Sequence, residues 1–156
     1  MYGQRCLIET CWLPALDSRG VDAFIGAMET VVSPGCAVFT HEFKGAASRV
    51  PEEATAFGLR RDHALVEIIA WFAGPDNAEE ERHRRWARAT REAIDAIALP
   101  GGYPNLLGGD EGPDRVARSY GRNAGRLIRA KQRYDPDNVF RSAIPLPVAS
   151  AMVRPT

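Results

Sequence analysis

A tyrosine and an asparagine stand two residues apart in a short segment of this chain, on either side of a proline. Tyr103 and Asn105 flank Pro104, after a glycine pair and before a stretch of glycines and acids. A phenol can accept or deliver a proton and a carboxamide can hydrogen-bond a ligand, so the two residues have the composition of a small site. An extended segment would direct them to opposite sides. Taken alone, such a short motif is more often a connector between two helices.

Two further ionisable side chains lie within segments that have the pattern of strands. His41 belongs to the alternating segment 37–43, and Glu67 is the one charged residue of the apolar run 65–72. An imidazole suits proton transfer near neutral pH, although a single histidine in a strand is more often a structural hydrogen-bonding group. A shift of one residue reverses the faces of a strand, so the pattern leaves open whether Glu67 or Ile68 lies on a given face. A solvated carboxylate at a strand edge is an equally good interpretation of Glu67.

These candidates must be positioned by strands and helices that the apolar periodicity predicts. In chain order these are strand 5–12, helix 21–32, strand 37–43, strand 65–72, helix 77–98 and helix 113–134. The order β-α-β-β-α, followed by a last helix, lacks regular βαβ alternation. We therefore predict an α+β fold, with a ferredoxin-like antiparallel sheet, helices on one face and a C-terminal helix.

The apolar positions of helix 77–98 predict the side that packs on the sheet. Trp86, Ile94 and Ile97 should be buried. His63, in a predicted loop, and His83, on the polar side of the helix, are expected at the surface.

Composition excludes several classes of protein. The 156 residues suit one domain, and twenty basic and twenty acidic residues cancel, so there is no net field to attract nucleic acid or an anionic membrane. Neither a run of about 20 apolar residues nor a signal-peptide core is present, which predicts a soluble, cytoplasmic protein. Cys6, Cys11 and Cys36 lack Cys-x-x-Cys spacing, so neither a disulfide framework nor a metal site is expected.

The last predicted helix carries a stripe of arginines at spacings of three and four. Its members are Arg115, Arg118, Arg122, Arg126, Arg129 and Arg133. Such a stripe could contact phosphates, but the zero net charge and the lack of interleaved aromatic residues argue against nucleic-acid binding. A solvated face, or one that pairs with acids of another domain, is the preferred interpretation.

The segment 103–141 resembles the C-terminal signature of the berberine bridge enzyme-like FAD-linked oxidoreductases of bacteria. The resemblance rests on the Tyr-Pro-Asn segment at 103–105, the long helical pattern, and the run Asp-Pro-Asp-Asn-Val-Phe at 135–140, and it continues in weaker form back to residue 36. It implies that residues 1–144 form the C-terminal, substrate-binding domain of such an enzyme, with 145–156 as a tail.

The resemblance also implies a chemistry, namely oxidation of an alcohol or amine carbon of a small-molecule substrate by hydride transfer to FAD. Tyr103 would be the base or would orient the base, and Asn105 would contact the flavin or brace the turn. His41 and Glu67 are further catalytic candidates. A phenol, with an ordinary pKa of about 10, needs a nearby cation or hydrogen-bond donor to act as a base, and the sequence does not identify that group.

The family holds its flavin mainly through an N-terminal domain with a glycine-rich loop, and no such pattern is recognisable here. The resemblance therefore implies a fragment or one half of a split enzyme, inactive by itself, that pairs with a separate FAD-binding subunit or self-associates. The contact surface would be an apolar sheet face at Ile69 and Trp71, or at Ile68 and Ala70 in the other register. The alternative is a non-catalytic α+β module that binds a small ligand or itself.

Overall fold

A computed structural model of the chain describes residues 3–74, 77–108 and 111–140. Its elements in chain order are strand β1 (Gln4–Leu13), helix α1 (Ser18–Glu29), strand β2 (Cys36–Phe43), strand β3 (His63–Ala73), helix α2 (Asn77–Asp95), helix α3 (Pro113–Tyr120) and helix α4 (Ala124–Tyr134). Single 3-10 turns lie at Ala47–Arg49, Pro104–Leu106 and Gly121–Asn123. The predicted tail at 145–156 lies outside the described residues.

The chain forms two compact units. The first consists of Met1–Phe43 and Asp62–Leu99, and the second of Lys44–Arg61 and Pro100–Thr156. The sheet belongs to the first unit, whereas the Tyr-Pro-Asn segment and the last helices belong to the second.

The first unit is built on an antiparallel sheet with strand order β1-β3-β2. The central strand β3 pairs Ile69 with Ile8 of β1 and with Ala37 of β2. Its nearly continuous apolar sequence suits a strand with neighbours on both sides. The predicted α+β class with an antiparallel sheet is confirmed.

One face of this sheet is covered by helices. Alternate residues of β3, among them Val66 and Ile68, pack with Trp86 and Ile94 of α2, and Phe24 of α1 borders the same core. The indole Nε1 of Trp86 donates a hydrogen bond to the carbonyl oxygen of Ala27 at 3.0 Å, which joins α2 to α1. The predicted placement of both helices on one face is therefore confirmed.

The ends of the helices differ from the prediction. Helix α1 begins three residues earlier than predicted because Asp17 caps it, accepting a hydrogen bond from the Gly20 amide at 3.1 Å. Helix α2 ends at Asp95, so Ile97 lies beyond it and is only half-buried, whereas Trp86 and Ile94 are buried as predicted.

His83 is buried, so its predicted surface position is wrong. Its Nδ1 lies 2.7 Å from the Glu79 carbonyl oxygen and its Nε2 lies 2.8 Å from the Ser33 hydroxyl. A carbonyl can only accept, so Nδ1 donates to Glu79, while Nε2 pairs with the Ser33 hydroxyl, which can serve as donor or acceptor. With both nitrogens paired and the ring stacked on Phe72, burial leaves no polar atom of the imidazole unsatisfied.

His63 is also buried, because it is the first residue of β3 and does not lie in a loop. Its ring stacks on Phe43 with centroids 4.9 Å apart and meets Trp12 edge to face at 4.8 Å. Its predicted surface position is therefore also wrong, because the polarity of an imidazole does not decide whether its neighbours bury it.

The single C-terminal helix predicted over 113–134 is broken. Helix α3 ends at Tyr120, Gly121 takes a φ of +54°, and a 3-10 turn leads into α4. Such a backbone conformation favours glycine, which explains why the break falls there. Val116, Tyr120 and Leu127, which lie on these two helices, pack with Leu107 in a small core of the second unit.

Among the described residues, no helix combines the length and the apolar character needed to cross a membrane. Nor do the described residues group three or more His, Cys, Asp or Glu side chains in a way that could hold a metal ion.

Candidate functional site

The Tyr-Pro-Asn segment forms a compact turn that brings its two polar side chains together. The Leu106 amide donates to the Tyr103 carbonyl oxygen at 2.9 Å, closing a 3-10 turn over Pro104–Leu106. Asn105 Nδ2 then donates to the Tyr103 hydroxyl at 3.0 Å. The expectation that the two side chains point to opposite sides is wrong, because the segment turns and is not extended.

This hydrogen bond places a donor against the phenol oxygen of Tyr103, the kind of neighbour that a tyrosine base would require. Asn105 is exposed and Tyr103 half-buried, so the pair can reach a ligand. In chemical terms the arrangement is a phenol with an amide donor at its oxygen.

The glycine pair before this turn fastens it to α3. Gly101 has a φ of +94°, and a Cβ there would lie 2.8 Å from the Ser119 Cα. The Gly102 amide donates to Ser119 Oγ at 2.9 Å. These glycines therefore serve close packing and do not form a phosphate-binding loop.

The other two candidates meet on the sheet. His41 Nε2 lies 3.3 Å from Glu67 Oε1, with the histidine side chain 57% exposed and the glutamate side chain 17% exposed. Glu67 pairs with Phe39 of β2, and Ile68 points into the core beneath α1 and α2. Glu67 therefore lies on the sheet face opposite those helices, on the central strand and not at an edge.

The structure thus groups the four candidates into two pairs, Tyr103 with Asn105 and His41 with Glu67, one in each compact unit. The first pair was visible in the sequence as a motif. The second could be found only from the register of β2 against β3.

The sheet positions expected to form an exposed apolar face are largely buried. Ile69 is 7% exposed, Ile68 and Ala70 are fully buried, and Trp71 is half-buried. The expectation of an open apolar patch at these residues is wrong, because β3 is the central strand and its side chains stand between those of β1 and β2.

Arginines of the stripe bind acceptors within the second unit. Arg115 pairs with Glu111 at 3.3 Å, and Arg126 donates to the Glu53 carbonyl oxygen at 2.8 Å. The break at Gly121 also interrupts the stripe, so it does not form one continuous basic face.

The Asp-Pro-Asp-Asn run after α4 is a turn organised by its first carboxylate. Asp135 accepts hydrogen bonds from the Val139 amide at 2.7 Å and the Phe140 amide at 3.1 Å, and also binds the Lys131 ammonium. Asn138 takes a φ of +51°, a conformation that asparagine tolerates better than most residues. The geometry of the turn therefore accounts for the residue types at Asp135 and Asn138.

The Lys131 ammonium, together with the two amides, lowers the pKa of the Asp135 carboxyl below its usual value. A lowered pKa in the folded state stabilises the protein above the unfolded pKa of about 4, and this contribution is lost as the pH falls through the folded value. We expect Asp135→Asn to weaken resistance to urea at neutral pH, and the difference from wild type to shrink below about pH 4.

The measurement is urea unfolding followed by circular dichroism across this pH range. Asp137→Asn is the matched control, since Asp137 is exposed in the same turn. A difference between Asp135→Asn and wild type that stays constant with pH would contradict the assigned role of the carboxylate.

The chain is similar to known proteins in three respects: a family model, the sequences of curated relatives and the folds of solved structures. The family model described as "Berberine and berberine like" matches residues 102–147. The chain is 30% identical over 131 residues to YgaK, an uncharacterized FAD-linked oxidoreductase of Bacillus subtilis, an alignment that covers 81% of this chain and 27% of that protein. It is 35% identical over 104 residues to the FAD-linked oxidoreductase OXR1 of Pyricularia oryzae, covering 63% of this chain and 20% of the relative.

Solved structures share the fold. The berberine bridge enzyme of Eschscholzia californica superposes with a TM-score of 0.78 at 23% identity, over 93% of this chain and 33% of that one. The glycopeptide hexose oxidase DBV29, in its complex with teicoplanin, gives a TM-score of 0.77 at 24% identity, over 93% of this chain and 32% of that one. The chain thus spans about a quarter of the first curated relative and a third of these structures.

Proposed function

Because the chain belongs to the berberine bridge enzyme-like FAD-linked oxidoreductases, we propose that it forms the C-terminal, substrate-binding part of an enzyme that oxidises an alcohol or amine carbon. The observation that carries this proposal is the hydrogen bond from Asn105 to the Tyr103 hydroxyl, within the segment that the family model matches. All the curated relatives named above are oxidoreductases, so a non-catalytic binding module is not favoured.

The described residues fit one part of an FAD molecule. The phenol of Tyr103 and the carboxamide of Asn105 suit the polar edge of a flavin ring. The Gly101–Gly102 turn is packed against Ser119 and leaves no cradle for a pyrophosphate. We propose that the pyrophosphate and most of the cofactor are bound by other residues of the enzyme.

When bound, FAD would take up a hydride from the substrate carbon and later pass its two electrons to oxygen or another acceptor. Loss of that hydride requires removal of a proton from the substrate hydroxyl or amine. Tyr103 Oη, in its deprotonated form, would receive this proton, or would hold the group that does, and Asn105 Nδ2 would stabilise the negative charge of the phenolate before the transfer. Glu67, supported by His41 at 3.3 Å, is the second candidate for the base.

The substrate is proposed to be a small molecule. The glycopeptide hexose oxidase is described in complex with teicoplanin, and a variant of berberine bridge enzyme in complex with (S)-reticuline. These ligands differ widely in size and chemistry, which suits a family that varies its pocket while keeping the flavin chemistry.

The partner is proposed to be an FAD-binding subunit that docks on the end of the Asp135 turn, with self-association as the alternative. Val139 and Phe140 are 71% and 78% exposed, yet both amides are fixed by Asp135. Two exposed apolar side chains on a backbone that is already fixed by hydrogen bonds are suited to a protein contact, because less backbone entropy is lost when they are covered.

We expect the isolated chain to bind FAD weakly and to purify without flavin absorbance. Co-expressed with an FAD-binding domain of this family, it should co-purify as a yellow complex. Changing Val139 and Phe140 together to serine should abolish the complex, whereas the matched double change Val21→Ser with Ile25→Ser should leave it intact. The latter two side chains are 43% and 53% exposed on α1.

Light scattering with and without FAD separates the two partner hypotheses. A dimer or larger species of the chain alone would favour self-association. A strictly monomeric chain that binds FAD tightly by itself would refute both.

A further inference from the structure

The long connection between β2 and β3, residues 44–61, belongs to the second unit and is held to α4 and the turn before it by one buried side-chain amide. Asn123 is 4% exposed, and its Nδ2 donates to the carbonyl oxygens of Glu52 at 2.7 Å and Thr55 at 3.0 Å. An amide nitrogen has two protons, so both are used to hold this loop. Arg126 adds a third attachment through the Glu53 carbonyl oxygen at 2.8 Å.

A glycine lets the loop approach this anchor closely. A Cβ on Gly58 would lie 3.0 Å from the Tyr120 carbonyl oxygen and 3.1 Å from Asn123 Nδ2. Both distances are shorter than ordinary contacts, so a larger residue would push the loop away from Asn123. Because Gly58 lies directly against Asn123, the backbone of the preceding residue, Phe57, is fixed as well.

The ring of Phe57 is held on one side by a cation. The Arg60 guanidinium lies 5.1 Å from the Phe57 ring centroid, and its Nε donates to the Phe57 carbonyl oxygen at 3.1 Å. A second hydrogen bond, from Arg60 to the Ala47 carbonyl oxygen at 3.1 Å, fixes the guanidinium itself. A stacked arginine with this many fixed donors restrains the ring beneath it.

The same phenylalanine meets the tyrosine of the candidate site. The rings of Phe57 and Tyr103 lie edge to face, with centroids 6.5 Å apart and an interplanar angle of 89°. This is within the range in which aromatic pairs attract each other. Tyr103 is therefore contacted at its hydroxyl by Asn105 and at its ring by Phe57.

We propose that Phe57 is a positioning residue for Tyr103 and holds the phenol ring in the orientation that Asn105 and a substrate require. The hydrogen bonds from Asn123 to the loop, here called the Asn123 anchor, fix Phe57 in the place where it can do so. The inference rests on the proposed role of Tyr103 as a proton acceptor. Proton transfer needs heavy atoms about 3 Å apart, and a displacement of about 1 Å can cost about 100-fold in rate.

The first test uses the chain alone and needs no enzyme activity. In the wild-type protein with ¹³C-labelled tyrosine, the Tyr103 ring resonances are assigned from the spectrum of Tyr103→Phe. Phe57→Leu keeps an apolar side chain and removes the aromatic ring, and we expect it to shift the Tyr103 resonances. The matched control Tyr134→Leu removes a ring that is likewise stacked under an arginine, 5.1 Å from Arg133, but is 74% exposed. It should leave Tyr103 unchanged.

A second variant tests the anchor. Gly58→Ala should shift the same Tyr103 resonances, because the added Cβ pushes the loop away from Asn123 while Phe57 itself is intact. Unchanged Tyr103 resonances in Phe57→Leu, or an equal shift in Tyr134→Leu, would overturn the proposal.

Turnover in the complex with an FAD-binding domain separates this proposal from the proposed function. We expect Phe57→Leu to lower kcat by about 10- to 100-fold with little change in KM, since the substrate contacts are unaltered. If Tyr103→Phe leaves turnover unchanged while the resonances still move in Phe57→Leu, the role of Tyr103 as a base fails and the packing role of Phe57 stands. If Tyr103→Phe lowers turnover and Phe57→Leu does not, the positioning role fails instead.

Discussion

Replacing Tyr103 with phenylalanine should lower turnover of the FAD-containing enzyme by about 100-fold or more, the usual effect of losing a general base. The change keeps the ring that packs against Phe57 and removes only the hydroxyl that accepts from Asn105 at 3.0 Å. Stability should therefore change little, so that the loss appears in kcat and not in the amount of folded protein. Steady-state kinetics on the complex with an FAD-binding domain measures it.

Two further variants test whether the loss of turnover is specific to the Tyr103 hydroxyl and its donor. Tyr134→Phe removes a phenol hydroxyl from a tyrosine that is 74% exposed, and should leave turnover unchanged. Asn105→Asp replaces the donor at the Tyr103 oxygen with a carboxylate, which disfavours negative charge on the phenol, and should lower turnover in the same direction as Tyr103→Phe. Unchanged turnover in Tyr103→Phe, with unchanged flavin affinity, would remove Tyr103 from the mechanism and leave Glu67 as the candidate base.

The largest effect on stability is expected from Gly35→Ala, in the turn before β2. A Cβ at this position would lie 2.2 Å from the Trp71 carbonyl oxygen, and the Gly35 carbonyl oxygen accepts from the Trp71 amide at 2.9 Å. The obstructing atom belongs to the backbone of the central strand, which cannot rotate away as a side chain could. We expect a loss of about 3 kcal/mol or more in the free energy of unfolding.

Gly26→Ala is the matched control. Gly26 lies within α1 and has no atom within 4 Å of its added Cβ, so the same substitution should stabilise the protein by about 0.5 to 1 kcal/mol. All three tryptophans, Trp12, Trp71 and Trp86, lie in the first compact unit, so tryptophan fluorescence during urea unfolding reports on that unit. Equal stability changes in the two variants would show that the turn at Gly35 can adjust, contrary to the expectation.

The sequence by itself determined the features that depend on local pattern. The alternation at 37–43 and the apolar run at 65–72 gave two strands, and spacings of three and four gave the helices that cover the sheet. The Asp-Pro-Asp-Asn motif was recognisable from the sequence because the two residues that its turn uses, Asp135 and Asn138, lie only three positions apart. The family resemblance rests on the same kind of local information, since a motif is a short run of residues.

Only the tertiary structure decided which residues meet. His83 was expected in solvent, but it is buried because Ser33 and the Glu79 carbonyl satisfy both its nitrogens. Whether Glu67 or Ile68 lies on the sheet face away from the helices depended on a register that a single residue of slip reverses. Phe57 carries no motif at all, and its contact with Tyr103 arises because Asn123 fixes the intervening loop. Local pattern reflects the backbone preferences of neighbouring residues, whereas burial and pairing depend on side chains far apart in the chain, and those are set only when the elements pack.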